Sequence, residues 1–495
     1  MAWILFIFYL VFTTYLGYLG SKKTKDFSTF AIGDGKMSPI VVGITLAAST
    51  ASAATFIINP GFVYVHGLAA FMHLGISVFI GILFMLLLAS YKFREIGADI
   101  KAVTIPHWLG LRYQSKSFAI YFSLINLLSF AFLVLLVGGI SIVMQNLLDI
   151  NNITALIITL VFVTGYVIMG GTYAHVFTNV LQGSLMIVIS IIIVGSGIYY
   201  MSGVPGFWQQ ISADNANLTT WVNPESSLYK DWFSVYISGF LIGAALVCQP
   251  HILTKALYVD SNKSVTRYIS VFSVVYLLFT CLLLAGFWAH VKVPPEMLLD
   301  ETTGAMRQDL VMTQYLKVSF PDWLFTIISV VLLAAAMSTL DGLMVGLSTI
   351  TANDFWINLT SKGKDGEHSN EDYKKAYSVS HIVLIILAVL TFVVTLNPPK
   401  LLGIFGQFGV YALVLTSLPP LINGIFFTKP NLKIVWVASV MAILIYVTLY
   451  FFGPDWFGEG IAFANPAVPA GIAILLTTVP AYLIQLFIQK RTTNA

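Results

Sequence analysis

The stretch Ala334-Ala335-Ala336-Met337-Ser338-Thr339-Leu340-Asp341-Gly342 places one carboxylate and two hydroxyls inside a long apolar run. An ionised Asp near the middle of a bilayer-spanning helix costs about 2.5–3.5 kcal/mol on insertion scales, so Asp341 needs a partner. Ser338 lies three residues after Ala335 and Thr339 four, which sets two hydroxyls and the Ala335 carbonyl region on one helix face. Asp341 follows about one turn beyond Ser338. Hydroxyls, carbonyls and a carboxylate are hard oxygen ligands, suited to a hard cation. No Lys or Arg falls within the core of any apolar run, which predicts that Asp341 has no fixed cationic partner and is either protonated or paired with a mobile cation. Each reading has a structural competitor. Ser338 and Thr339 can hydrogen-bond back to the preceding turn, and Asp341 can be a permanently neutral acid bonded to a neighbour.

Such residues need a scaffold, and composition defines its class. Hydrophobic residues make up 58% of the 495 positions and charged residues 9%, against about 25% charged in a soluble domain. Apolar runs repeat from end to end, which predicts a polytopic, all-α membrane protein forming a single transporter domain over 1–495. Spans are expected at 2–20, 38–59, 67–91, 118–145, 153–170, 174–201, 232–250, 268–290, 322–355, 376–396, 401–428, 433–453 and 466–489. The first begins Met-Ala-Trp-Ile-Leu, without a positive leader or a cleavage site, and reads as a retained helix. Cys248 and Cys281 fall in apolar runs and have neither disulfide nor metal-ligand spacing.

Basic residues sort by side. Lys230, Lys292, Arg307, Lys317 and Lys400 fall on one side, and the other 20 of the 25, Lys255 among them, on the opposite side. By the positive-inside tendency the N-terminus is expected outside and the C-terminus in the cytoplasm, in the plasma (inner) membrane. The net charge of +3 therefore carries no nucleic-acid implication. The outer segments 202–231 and 291–321 have room for small interfacial helices or a lid. Thr104-Ile105-Pro106-His107-Trp108-Leu109, followed by Arg112-Tyr113, reads as an amphipathic interfacial stretch. Segment 358–375, with Gly363 and Gly366, reads as a solvated linker. No soluble enzyme or signalling module follows the last span, and no obligate protein partner is evident.

Two spans are weak helices. The second contains Ala47-Ala48-Ser49-Thr50-Ala51-Ser52-Ala53-Ala54-Thr55, then Asn59-Pro60-Gly61. The seventh has Gly239 and Gly243 and ends in Cys248-Gln249-Pro250-His251. Small residues are common at membrane helix interfaces. Broken helices at corresponding places in two halves, however, point to an inverted-repeat transporter with its site at the midplane.

With these motifs in hand, the sequence resembles the sodium/solute symporters, a family that includes proline, pantothenate, sugar, sialic acid, monocarboxylate and iodide carriers. The resemblance covers most of the chain. It is carried by Ala48 to Ile57 with Pro60-Gly61 and Tyr64, by Gly170-Gly171 through Thr178-Asn179 to Gln182-Gly183, by Gln249 to Leu253, and by Ala335 to Thr339. It implies a leucine-transporter-like 5+5 inverted repeat: five helices in 38–201, five in 232–428, the extra N-terminal helix 2–20, and two C-terminal helices in 433–489. It also implies a main Na+ site from the Ala48, Ala51 and Ala335 carbonyls and the Ser338 and Thr339 hydroxyls.

Two departures from the family pattern bear on function. Many members carry an Asp at the position matching Asn179, whereas here the carboxylate is Asp341, where a Ser is often found. This suggests a rearranged second cation site from Asp341, Asn179 and Ser338, or loss of that site with Asp341 shaping the main one. The apolar Leu74 counts against a sugar, and Thr50, where proline carriers have an Asp, counts against proline. The pattern is closest to pantothenate- and monocarboxylate-carrying relatives. Candidate substrate contacts are Thr50, Ser52, Thr55, His73, Gln249 and Gln407. The expected activity is sodium-coupled import of a small organic solute by alternating access, with amino-acid or sugar symport as the alternative. A substrate sensor on the same fold is the rival of another class. No enzyme constellation and no channel filter is visible.

Overall fold

The apolar runs fold as helices because hydrocarbon offers no partner for a free backbone N–H or C=O. The computed structural model describes residues 1–300, 304–360, 370–399 and 401–493. Among them are α1 (Ala2–Ser21), α2 (Pro39–Thr50), α3 (Ala54–His66), α4 (Leu68–Asp99), α5 (Lys116–Leu148), α6 (Asn152–Gly203) and α7 (Phe233–Leu246). There follow α8 (Pro250–Tyr258), α9 (Asn262–Lys292), α10 (Asp322–Thr360), α11 (Glu371–Thr395), α12 (Leu402–Phe426), α13 (Leu432–Phe457) and α14 (Ala467–Arg491). Ten of these are long and apolar enough to cross a bilayer alone; α2 with α3, and α7 with α8, cross as pairs bent by 55° and 60°.

At 52 residues α6 is too long for one crossing of about 20 residues. It doubles back at Gly171, whose φ of 49° and ψ of −132° interrupt an otherwise helical run. Counted as two spans there, and with each bent pair as one, the described residues hold thirteen candidate crossings, the number the sequence implies. The two bent pairs are the second and seventh of these, five crossings apart, as an inverted repeat requires.

The core surrounds α10, where every residue from Ile328 to Val345 is buried. By contrast α1, α11 and α13 are only 22–28% buried along their spanning windows and form the apolar rim facing lipid.

Two local expectations are corrected. Gly239 and Gly243 do not break α7; they let it lie against α4, and a Cβ on Gly243 would sit 2.2 Å from the Val78 carbonyl oxygen. The break falls later, at Val247–Gln249, ahead of Pro250, because the residue before a proline is driven out of helical conformation: Gln249 has ψ 144°. Nor does Ile105–Arg112 lie on the membrane surface. Its residues from Ile105 to Gly110 are buried, Trp108 stacks on Phe93, and Arg112 donates to the Gly424 and Phe427 carbonyls at the end of α12. The outer segments do carry short helices, Phe207–Asp214 and Val311–Ser319. Of the expected linker, Lys362, Gly363, Lys364 and Gly366 lie outside the described residues, as does Lys400.

Candidate cation and solute site

Residues 51–53, between α2 and α3, end the first helix at mid-depth, and α10 packs beside the break. Ser338 Oγ lies 2.9 Å from the Ala48 carbonyl oxygen and 2.6 Å from that of Ala335. Thr339 Oγ1 donates to the Ser49 carbonyl at 2.9 Å. From α6, Asn179 Nδ2 donates to Ser49 Oγ at 3.0 Å and to the Ser338 carbonyl at 2.9 Å. Asn179 Oδ1 is buried and has no hydrogen-bond partner. Ala48, Ser49, Ala335, Ser338, Thr339 and Asn179 are all fully buried. This buried cluster gathers carbonyl, hydroxyl and amide oxygens around one orphaned acceptor, oxygen chemistry that suits a hard cation.

Four of the five expected main-site residues, Ala48, Ala335, Ser338 and Thr339, are thus brought together. Ala51 is the turning residue of the break, with φ −83° and ψ 79°, and its amide donates to Ala47. Thr339 reaches Ser49, which the sequence reading did not include.

Asp341 is a correction. It has a fixed partner set: His175 Nδ1 stands 2.8 Å from Oδ1, while Tyr166 and Thr178 hydroxyls lie 2.9 and 3.2 Å from Oδ2. Behind His175, Lys255 Nζ lies 3.1 Å from Nε2, and Lys255 is fully buried. Lys255, expected in a cytoplasmic loop, is instead held inside the bundle by α8, which continues the bent crossing after Pro250. Asn179, expected opposite Asp341, is instead bonded to Ser49 and Ser338. The expectation that Asp341 has no fixed cation within reach therefore fails.

A cavity of about 100 Å³ adjoins the break. Thr50, Ser52, Thr55, Gln249 and Gln407 line it, as does Leu74, together with Asn59, Tyr276, Thr280 and Tyr411, which were missed. Hydroxyls and amides dominate its polar part. His73 does not line it. Its Nδ1 is bonded to the Ser234 carbonyl at 2.7 Å, tying α4 to the start of α7. His73→Leu is accordingly expected to leave the solute KM within about twofold while lowering the thermal midpoint by about 2–4 °C, the effect of one lost buried hydrogen bond in a large chain. Parallel uptake and thermal-shift measurements on the variant check both halves.

A smaller pocket lies on the side of the basic loops, lined by Thr104, His175, His251, Thr254 and Thr349 among others. His251 lines both cavities and its ring faces the Ser49 backbone. It is the side chain that separates them. Its place in the Gln-Pro-His run was legible, but nothing in the sequence said that it faced Ser49.

Comparison with known proteins places this geometry. A profile of the Sodium:solute symporter family matches residues 30–433. A sodium/pantothenate symporter of Haemophilus influenzae is 26% identical over 415 residues, covering 83% of this chain and 82% of its own length. A sodium/proline symporter of Escherichia coli is 23% identical over 406 residues, covering 79% and 76%. Among solved structures, a Na+-coupled sialic acid symporter in a substrate-bound outward-open state has a TM-score of 0.76 at 16% identity, covering 97% of each chain. A nucleobase-cation-symport-1 family transporter in a closed conformation has a TM-score of 0.53 at 14% identity, covering 90% of this chain and 91% of its own. Since the matched span runs through both broken helices and α10, the chain belongs to the sodium:solute symporter family and is a multi-pass membrane symporter whose coupling ion is sodium.

Proposed function

We propose that the protein imports a small organic carboxylate, of the pantothenate or monocarboxylate kind, across the plasma membrane, driven by the inward sodium gradient. The observation that carries the substrate class is the cavity at the α2–α3 break. Its hydroxyls and amides suit a solute with several neutral polar groups, and no Lys, Arg, Asp or Glu is among its lining residues. Gln249 Oε1 is buried there without a partner, an acceptor that suits an amide or hydroxyl hydrogen on the solute. The solute's carboxylate would face the N-terminal end of α3, where Ser52, Ala54 and Thr55 line the cavity and helix amides favour negative charge. The resemblance of two sodium/pantothenate symporters to most of the chain supports the same class.

Sodium would be held by the Ala48, Ala335 and Ser49 carbonyls, the Ser338 and Thr339 hydroxyls and Asn179 Oδ1, with Ala51 at the adjoining turn. These atoms come from α2, α6 and α10, so an ion bound among them draws the broken helix towards α10. That is how ion binding would organise the neighbouring solute cavity. Alternating access then needs the two bent pairs to rock at 51–53 and 247–249, with His251 leaving Ser49 to join the two cavities. The N-terminus is assigned to the outside and the C-terminus to the cytoplasm.

Proteoliposome uptake tests the reading, with sodium and proton gradients set independently over a panel of pantothenate, monocarboxylates, proline, glucose and sialic acid. The expected result is sodium-driven uptake of pantothenate or a monocarboxylate. Uptake confined to proline or a sugar overturns the substrate class. In the same assay Gln249→Leu is expected to raise the solute KM by about 10-fold, one lost hydrogen bond of about 1.4 kcal/mol, with sodium dependence retained.

A further inference from the structure

Lys255 on α8, His175 and Tyr166 on α6, and Asp341 on α10 form a continuous buried chain that neither the sodium site nor the solute cavity uses. Lys255 and Asp341 are 0% exposed and His175 2%. An ammonium has only donors, so Lys255 must donate to His175 Nε2 across the 3.1 Å contact. That leaves the ring hydrogen on Nδ1, where it donates to the Asp341 carboxylate at 2.8 Å. Lys255 also lies 3.5 Å from Thr45 Oγ1, whose own hydrogen goes to the Val42 carbonyl. Tyr166 donates to the second carboxylate oxygen at 2.9 Å. With Lys255 as the ammonium, these contacts set a cation, a neutral imidazole and a carboxylate in line, the two charges separated by the span of one imidazole ring.

Isolated, either charge is costly at this depth; together they cancel, and the ring between them completes the hydrogen bonds that a buried pair requires. Asp341 is thereby withdrawn from ion binding, although it lies only two positions from Thr339. We infer that Lys255 is a resident counter-cation: through His175 it neutralises Asp341 and supplies the positive charge a second coupled cation would bring, so that each chain binds one sodium ion. The inference rests on the sodium site proposed above for that one ion and adds the count and its cause.

Equilibrium binding of radioactive sodium to the purified full-length protein, without solute, tests it. The unaltered protein is expected to bind one ion per chain, and Asp341→Asn also one. Lys255→Met leaves the carboxylate uncompensated and is expected to bind two, and the double variant Lys255→Met/Asp341→Asn one again. Lys255→Arg keeps the charge and stays at one. Two ions on the unaltered protein, one fewer on Asp341→Asn than on the unaltered protein, or one ion on Lys255→Met overturns the inference alone. A count of zero on the unaltered protein overturns the sodium site as well. Should Lys255→Met not fold, the counts on the unaltered protein, Asp341→Asn and Lys255→Arg still decide.

Discussion

Ser338→Ala is expected to raise the sodium concentration for half-maximal uptake by about 10- to 100-fold, the consequence of losing one ligand worth about 1.5–3 kcal/mol to a charged group. The Ser338 hydroxyl oxygen is the atom that α10 places between the Ala48 and Ala335 carbonyls, at 2.9 and 2.6 Å. Removing it leaves those carbonyls farther from any shared point and leaves α10 with only Thr339 reaching the broken helix. The substitution is small and creates little cavity, so the protein should fold, and solute uptake at saturating sodium should persist. Sodium titration of uptake, with binding of radioactive sodium as a solute-free control, measures the effect. An unchanged half-saturation would remove Ser338 from the site, and with it the reading of the α2–α10 contact as the sodium site.

The second large effect concerns folding. Gly171→Ala is expected to abolish accumulation of folded protein, or to leave a fraction too unstable for purification. At φ 49° and ψ −132°, Gly171 holds a backbone conformation that residues with a Cβ avoid. A Cβ there would also lie 2.4 Å from the ring of Phe30, a buried side chain that itself packs on Tyr377 and His381. Strain of about 1–3 kcal/mol for the backbone adds to an overpacking cost of similar size, about 1–3 kcal/mol. Both fall on the kink that divides α6 into two helices. The same kink sets Tyr166 before the turn and His175 after it, so straightening it separates the partners of Asp341. Fluorescence-detected size-exclusion chromatography of Gly171→Ala beside Gly195→Ala, where no atom lies near the added methyl group, distinguishes this from a general sensitivity to alanine. A monodisperse, normally abundant Gly171→Ala would show that the kink tolerates a side chain.

That Ser338 and Thr339 would meet the broken helix was legible on α10 because helical spacing is local. Ala335, Ser338 and Thr339 share a face by periodicity alone, and the small-residue run at 47–55 announces a helix that breaks. Apolar length fixed the number of crossings, since each crossing is a near-independent requirement of bilayer thickness. The motifs around Pro60, Gly171, Gln249 and Ser338 were enough to identify the family. What failed to follow was every statement about which distant side chain meets which. Lys255 lies five residues past Pro250, where hydropathy records a loop. Only the packing of α8 against α6 and α10 shows that the chain re-enters the bundle and delivers a cation behind His175. His73 and His251 are equally isolated on paper, yet one staples α4 to α7 and the other stands between two cavities.

Local spacing and burial length, then, determined the class of protein, its apolar crossings and the oxygen-bearing face of α10. The partner of Asp341 was decided by tertiary structure alone. A buried charge is compensated by whatever the fold brings within reach, and the 86 residues of sequence separating Lys255 from Asp341 record nothing of that approach.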